Sequence, residues 1–249
     1  MTEKDLISRQ DLIHKMIQLK AKNLYDAEKI EPIYDGVCDP KKYSESTIKI
    51  MWVLKEPYDD LDNSGKPMGG GWNIYEKWTQ EDRIEEVSSN RTWHPVMYVL
   101  RSVFEDKKWD DLSWIRDERD EYVEALRNCA YININKMPAG KVSGDLTEQF
   151  AIWCDEINAQ ILAYQPDVII FGNTMCYFYD QFYMRKPDLT ECEGISGATD
   201  VFLTQIGENP TLLINAYHPN QRTITRQEYV DSILMSVRQN IGKLGKSNF

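Results

Sequence analysis

Several side chains capable of chemistry stand at or just after apolar runs of this chain. Glu56 follows Ile48-Lys49-Ile50-Met51-Trp52-Val53-Leu54, and Asn133 and Asn135 lie in and just beyond Ala130-Tyr131-Ile132-Asn133-Ile134. Gly172 and Asn173 close the run Asp167–Gly172, and His218 follows Thr211–Ala216. Trp72 stands after Gly69-Gly70-Gly71. A carboxylate can orient water or oppose a developing cation, and a neutral imidazole can donate to a developing oxyanion. An amide offers a donor and an acceptor together, and an indole face stacks on a flat ring. Each residue also has a plainer reading. Glu56 before Pro57 can be a solvated loop acid, a strand asparagine can satisfy backbone groups, and Trp72 can anchor a core beside a glycine turn. His218 can cap or pack. His14 and His94 carry less weight, one in an N-terminal helical pattern and the other at the helix-opening Trp93-His94-Pro95. No His, Cys, Asp or Glu spacing suggests a metal site, and Gly172-Asn173-Thr174 lacks the further glycines of a dinucleotide fingerprint. No cofactor is expected.

The elements that must position these groups are legible as periodicity. The four runs are β-branched or aliphatic at nearly every position, the pattern of strands buried on both faces. Helix-like segments at about 94–104, 117–128, 146–164, 173–184 and 225–242 alternate with them. Such alternation predicts βαβ units on a parallel sheet. The expected fold is α/β, a three-layer α/β/α domain with a central four-stranded, mainly parallel sheet over 47–242. Residues 1–46 are expected to form a mostly helical N-terminal extension, with Leu6, Ile7, Leu12, Ile13, Met16, Ile17 and Leu24 marking an amphipathic helix. The whole of 1–249 is then a single domain. In open parallel sheets ligands bind beyond the carboxyl ends of the strands, which is where Glu56, Asn133, Asn135 and His218 fall.

Composition limits the partners. Twenty-nine Lys plus Arg against forty Asp plus Glu give a net charge of −11, the opposite of a protein that coats nucleic acid. The charge is uneven. Residues 105–124 hold nine acids against four bases, whereas 125–144 hold three bases and no acid, and 215–249 hold five bases against two acids. A local basic face on an acidic body is therefore expected, with 105–124 as a solvated helix face or a partner surface. The five cysteines, at 38, 129, 154, 176 and 192, contain no C-x-x-C pair. That pattern argues against disulfide frameworks, zinc ribbons and iron–sulfur clusters, and fits a reducing cytoplasm. Cys129 and Cys176 are expected to be buried thiols. No stretch approaches the ~20 apolar residues of a membrane span.

In chain order the motifs run strand then Glu56-Pro57-Tyr58, glycine loop then Trp72, strand then Asn133, strand then Gly172, and strand then His218-Pro219-Asn220. That order resembles the uracil-DNA glycosylase superfamily over roughly residues 46–242. Lys55-Glu56-Pro57-Tyr58 is similar to the family's first motif, Q-D-P-Y in its best-known branch. Trp72 falls where that branch has the aromatic that stacks on a flipped base. Asn133 falls where a strand asparagine reads the base edge, with Asn135 next in register, and His218–Arg222 resembles the family's H-P-S loop. The chain departs from the pattern at Lys55 for glutamine, Glu56 for aspartate, Asn220 for serine, and Arg222 for a wedge leucine. An arginine there also resembles the single-strand-selective branch.

The resemblance implies a hydrolase that flips uracil or a related damaged base from DNA and cleaves its N-glycosidic bond. Glu56 and His218 are then the catalytic pair, with Tyr58, Trp72, Asn133 and Asn135 binding the base. Arg222 would fill the gap in the stack, and Lys136, Lys141 and Arg226 would join it in holding phosphates of single-stranded or mispaired DNA. Two alternatives remain on the same fold: a nucleic-acid or nucleotide binding protein without activity, and a hydrolase of small nucleosides. A monomer with neither metal nor membrane partner is the expectation.

Overall fold

The computed structural model describes residues 1–25, 31–57, 64, 72–74, 92–139, 145–181, 184, 189–195 and 197–246. The chain opens with helix α1 (Glu3–Leu24), started by a capping box in which the Thr2 hydroxyl accepts from the Asp5 N–H and the Asp5 carboxylate accepts from the Thr2 N–H. Strand β1 (Gly36–Val37) and the short helix α2 (Pro40–Glu45) follow, then β2 (Ile50–Leu54). Helices α3 (Trp93–Glu105) and α4 (Arg119–Arg127) precede β3 (Cys129–Asn133), and helix α5 (Thr147–Tyr164) leads to β4 (Val168–Gly172). Strands β5 (Thr190–Cys192), β6 (Thr199–Ile206) and β7 (Asn209–Ala216) come next, and α6 (Arg226–Asn240) runs into a closing 3-10 turn, Ile241–Leu244.

The fold is α/β, but among the described residues the sheet has seven strands rather than four, in the order β1-β3-β2-β4-β7-β6-β5. Its centre, β3-β2-β4-β7, is parallel throughout and consists of the four apolar runs. The additional strands are antiparallel: β1 on β3, β6 on β7, and β5 on β6. Strands β6 and β7 form a hairpin closed by Gly207-Glu208, with Gly207 at φ 62° supplying the positive angle that a two-residue loop needs. The expected helix at 173–184 is absent from its described residues. Asn173 takes a left-handed φ of 60°, and only a 3-10 turn, Met175–Phe178, follows. The N-terminal segment is no appendage, since β1 joins the sheet and Leu6, Ile13 and Ile17 of α1 are buried in the core.

Alternation along the central strands divides the core. Ile50, Trp52, Leu54, Val168, Ile170, Leu212 and Ile214 face α3, α4 and α6. Met51, Val53, Ala130, Ile132, Ile169, Phe171 and Leu213 face α1 and α5. Each such aliphatic or aromatic side chain contributes about 1.5–3 kcal/mol on burial, which fixes the register of every strand. Leu54 pairs with Asn133, Val53 with Phe171, and Gly172 with Ala216, so the four carboxyl ends finish along one edge. The chain passes from β2 to β3 on one side and then crosses back to β4 on the other. The switch point between β2 and β4 is where an open sheet leaves a crevice.

Candidate functional site

The parallel ladder runs on past the strand ends and carries the site with it. The Ile134 and Asn135 N–H groups donate to the Leu54 and Lys55 carbonyls at 2.9 and 3.0 Å, and the Ala139 N–H donates to the Pro57 carbonyl at 3.0 Å. Glu56 is thus held between two residues whose carbonyls are bonded to the chain after β3. It is half-buried, with its Oε2 oxygen out of contact with solvent. From β4, the Thr174 hydroxyl donates to the Val53 carbonyl at 2.8 Å and ties the third strand end to the first.

The loop after β7 closes down on this edge through Gly172. A Cβ there would lie 2.3 Å from Leu54 Cδ2 and 3.1 Å from Pro219 Cδ, so the glycine leaves room for the Leu54 side chain and for the close approach of the His218-Pro219 segment. The half-buried His218 imidazole accepts from the Asn220 N–H at Nδ1, over 3.1 Å. That bond fixes the neutral tautomer with hydrogen on Nε2, leaving Nε2–H as the available donor. Burial, reinforced by the Lys55 ammonium, pushes its pKa down to about 4. The ring is neutral near pH 7.

The asparagines are differently placed. Asn133 is buried, its Oδ1 accepting from the Tyr131 hydroxyl at 3.1 Å and its Nδ2 donating to Asp35 Oδ2 at 3.3 Å. Both ends of its amide are engaged inside the protein. Asn135, two residues further along the chain, is 9% exposed, with Oδ1 accepting from the Met137 N–H at 3.0 Å. Trp72 is half-buried against the core layer beneath α3, and its carbonyl accepts from the Tyr34 N–H at 2.9 Å.

Lys136 corrects the expectation of a phosphate-binding lysine. Its side chain has no exposure, and its ammonium donates to Asp35 Oδ1 and Oδ2 at 2.8 and 3.0 Å and to Gln160 Oε1 at 2.7 Å. Burial lowers its pKa against the pull of the Asp35 carboxylate. A cation desolvated to this degree persists only because a carboxylate and an amide replace its water, so it is unavailable to a ligand at the surface. Arg222 and Arg226 are exposed. Both line a cavity of about 290 Å³ with Pro95, Pro219, Asn220 and Tyr229, and the Arg226 guanidinium sits 5.8 Å from the Tyr98 ring centroid. Tyr58, Gly69–Gly71 and Lys141 lie outside the described residues.

The buried Asp35 and Gln160 belong to this region but carry no motif in the sequence. The Asp35 carboxylate accepts from the Asn133 N–H at 2.6 Å, from Lys136 Nζ, and from Gln160 Nε2 at 2.8 Å. His14 Nε2 lies 2.9 Å from the Asp35 carbonyl, and burial lowers the pKa of its imidazole.

Other expectations resolve in the same way. The acidic stretch 105–124 is paired in part: Glu105 and Glu118 with the buried Arg101, Asp106 with Arg238, and Glu124 with Lys42. Trp109 packs on Tyr98, while Trp114 is 55% exposed. All five cysteines are free thiols, but Cys176 is exposed rather than buried because it falls on the outer side of the 3-10 turn. Among the described residues no group of three or more His, Cys, Asp or Glu side chains could hold a metal ion, and no helix is long and apolar enough to cross a membrane.

The sequence matches no protein-family model, and no curated protein matches it significantly.

Proposed function

We propose that this chain is a DNA-base glycosylase-like hydrolase that cleaves the N-glycosidic bond of uracil or a related damaged base. The observation that carries the reading is His218. Its imidazole is neutral, its Nδ1 is committed to the Asn220 N–H, and it lies on the sheet edge that also holds Glu56. A base leaving from C1′ takes the bonding electrons and develops negative charge on its carbonyl oxygen, while the sugar becomes oxocarbenium-like. The Nε2–H of His218 donates to that oxygen, and one preorganised donor of this kind is worth about 2.7–4 kcal/mol. Glu56 orients the water that attacks C1′ and opposes the sugar cation. Because its carboxylate is already half-buried, its charge acts in a medium less polar than water, where it is worth more.

The base-edge contact goes to Asn135 rather than Asn133, because the Asn133 amide is already bonded at both ends. Asn135 keeps its two amide hydrogens and one lone pair beyond the Met137 bond. Trp72 supplies a stacking face, and Arg222 and Arg226 are the cations that meet phosphate or the vacated stack. The withdrawal of Lys136 from the rim favours a second reading, hydrolysis of small nucleosides, which needs no phosphate contacts.

Base release from labelled oligonucleotides carrying uracil, single-stranded and mispaired, tests the reading. Wild type is expected to release base, and Glu56→Gln and His218→Ala each to lower the rate at least tenfold. No release at excess enzyme removes the uracil reading, and release from free nucleosides alone selects the second one. Tight binding without release at either substrate identifies a binding protein.

A further inference from the structure

We propose that Asp35 is a positioning residue, a buried carboxylate that holds both walls of the candidate site in register. One wall is the turn after β3. Asp35 accepts from the Asn133 N–H at 2.6 Å and from the Lys136 ammonium at 2.8 and 3.0 Å, so it grips that turn on both sides of Asn135. The Ile33 N–H donates to the Lys136 carbonyl at 2.7 Å and adds a third tie from the same segment. The other wall is Trp72. The Tyr34 N–H donates to the Trp72 carbonyl at 2.9 Å, and the Ile74 N–H donates back to the Tyr34 carbonyl at 3.0 Å. Tyr34 and Asn73 form a parallel bridge through these bonds.

Residues 33–35 are therefore a splint. Two chain segments about sixty residues apart are both fastened to it, one by main chain and one by a carboxylate. The splint is itself fixed from behind. Gln160 of α5 donates to Asp35 Oδ1 at 2.8 Å and to the Asp35 carbonyl at 3.0 Å, and accepts from Lys136 at 2.7 Å. A carboxylate so engaged has a single low-energy placement, and that rigidity passes to what it holds. A buried ion pair can often be replaced by apolar groups of similar volume at little cost, whereas removing one partner alone strands a charge.

The activity arm of the test rests on the glycosylase reading, and a second arm does not. Asp35→Asn leaves Lys136 uncompensated and is expected to fold poorly, so the informative protein is the double variant Asp35→Leu/Lys136→Met. It is expected to stay folded but to melt below wild type, because the Asn133 N–H and the Gln160 amide lose their buried partners. Amide hydrogen exchange by mass spectrometry should quicken at least tenfold more in both 72–74 and 133–137 than in the central strands of the sheet. On the uracil oligonucleotide its kcat should fall at least tenfold with KM within about twofold, and Asp35→Glu should recover part of the loss. A stable double variant with wild-type exchange in both segments overturns the proposal, as does quickening confined to 133–137.

If the double variant unfolds, the wild-type chain decides. The amides of Ile33, Tyr34, Ile74 and Asn133 should share one level of protection and open as one unit. Protection at Ile33 and Asn133 with tenfold faster opening at Tyr34 and Ile74 overturns it. If wild type releases no base, the glycosylase reading fails by itself and the exchange measurements still decide the role of Asp35.

Discussion

The neutrality of His218 has a measurable thermodynamic consequence. In the unfolded chain its imidazole titrates near 6.5, whereas in the folded protein burial and the Lys55 charge hold it near 4. Between those values the unfolded state binds a proton that the folded state refuses, so stability rises with pH there. The contribution is complete above pH 6.5 and is lost as the pH falls towards 4. The full displacement corresponds to about 3 kcal/mol, of which about 2 kcal/mol is gone at pH 5. The assay is urea unfolding of wild type and His218→Gln at pH 7, 6 and 5, comparing midpoints at constant m-value. Groups common to both proteins, including His14, cancel in the comparison. Wild type should lose about 2 kcal/mol more than the variant between pH 7 and 5, a factor of about 30 in the unfolding equilibrium. Equal losses within about 0.5 kcal/mol would show that the imidazole is not held neutral and would remove its role as an Nε2–H donor. By the same reasoning, base release should carry no imidazole ionisation between pH 8 and 5.

Two further predictions concern the rest of the site. Gly172→Ala drives a methyl group to 2.3 Å from Leu54 Cδ2, well inside the ~3.5–4.0 Å carbon–carbon optimum, and Leu54 is itself buried. It should cost about 1–3 kcal/mol, lower Tm by about 2–4 °C per kcal/mol and displace the His218 loop, so that base release falls further than stability. An unchanged Tm would mean that the loop does not rest on Gly172. Replacing Arg222 and Arg226 by alanine should weaken single-strand binding and flatten the plot of log K against log salt by about 0.7 per lost phosphate contact. An unchanged slope would take both guanidiniums out of the interface.

The four central strands were legible because a strand covered on both faces must be apolar at every position, and Ile50–Leu54 or Val168–Gly172 admit few other readings. Strand β6 was missed although its alternating burial, closing at Gly207-Glu208, is a hairpin pattern; half-buried strands at a sheet's antiparallel edge lack the continuous apolar run. The segment 173–184 has helix-like apolar spacing, yet Asn173 leaves β4 in a left-handed conformation and the aromatic side chains turn onto Phe171 and Phe150 instead. The places of Glu56 and His218 at the carboxyl edge of the sheet were legible from the apolar runs before them. Lys136 was not, because lysines are almost never fully buried and its partner Asp35 lies 101 residues away. Neither Asp35 nor Gln160 stands in any local pattern, and their chemistry exists only once α5 and the turn after β3 are packed together.

Among the described residues the sheet ends in short strands, and beside β1 the chain at Tyr34 is bridged to Asn73. Its outermost strands, β1 and β5, are two and three residues long, and β5 presents the exposed Thr190 and Glu191. A long, flat, uncharged border would be a template on which another chain could add a strand, and strands of two and three residues are too short to be one. Strand addition on β1 or β5 themselves is thereby discouraged.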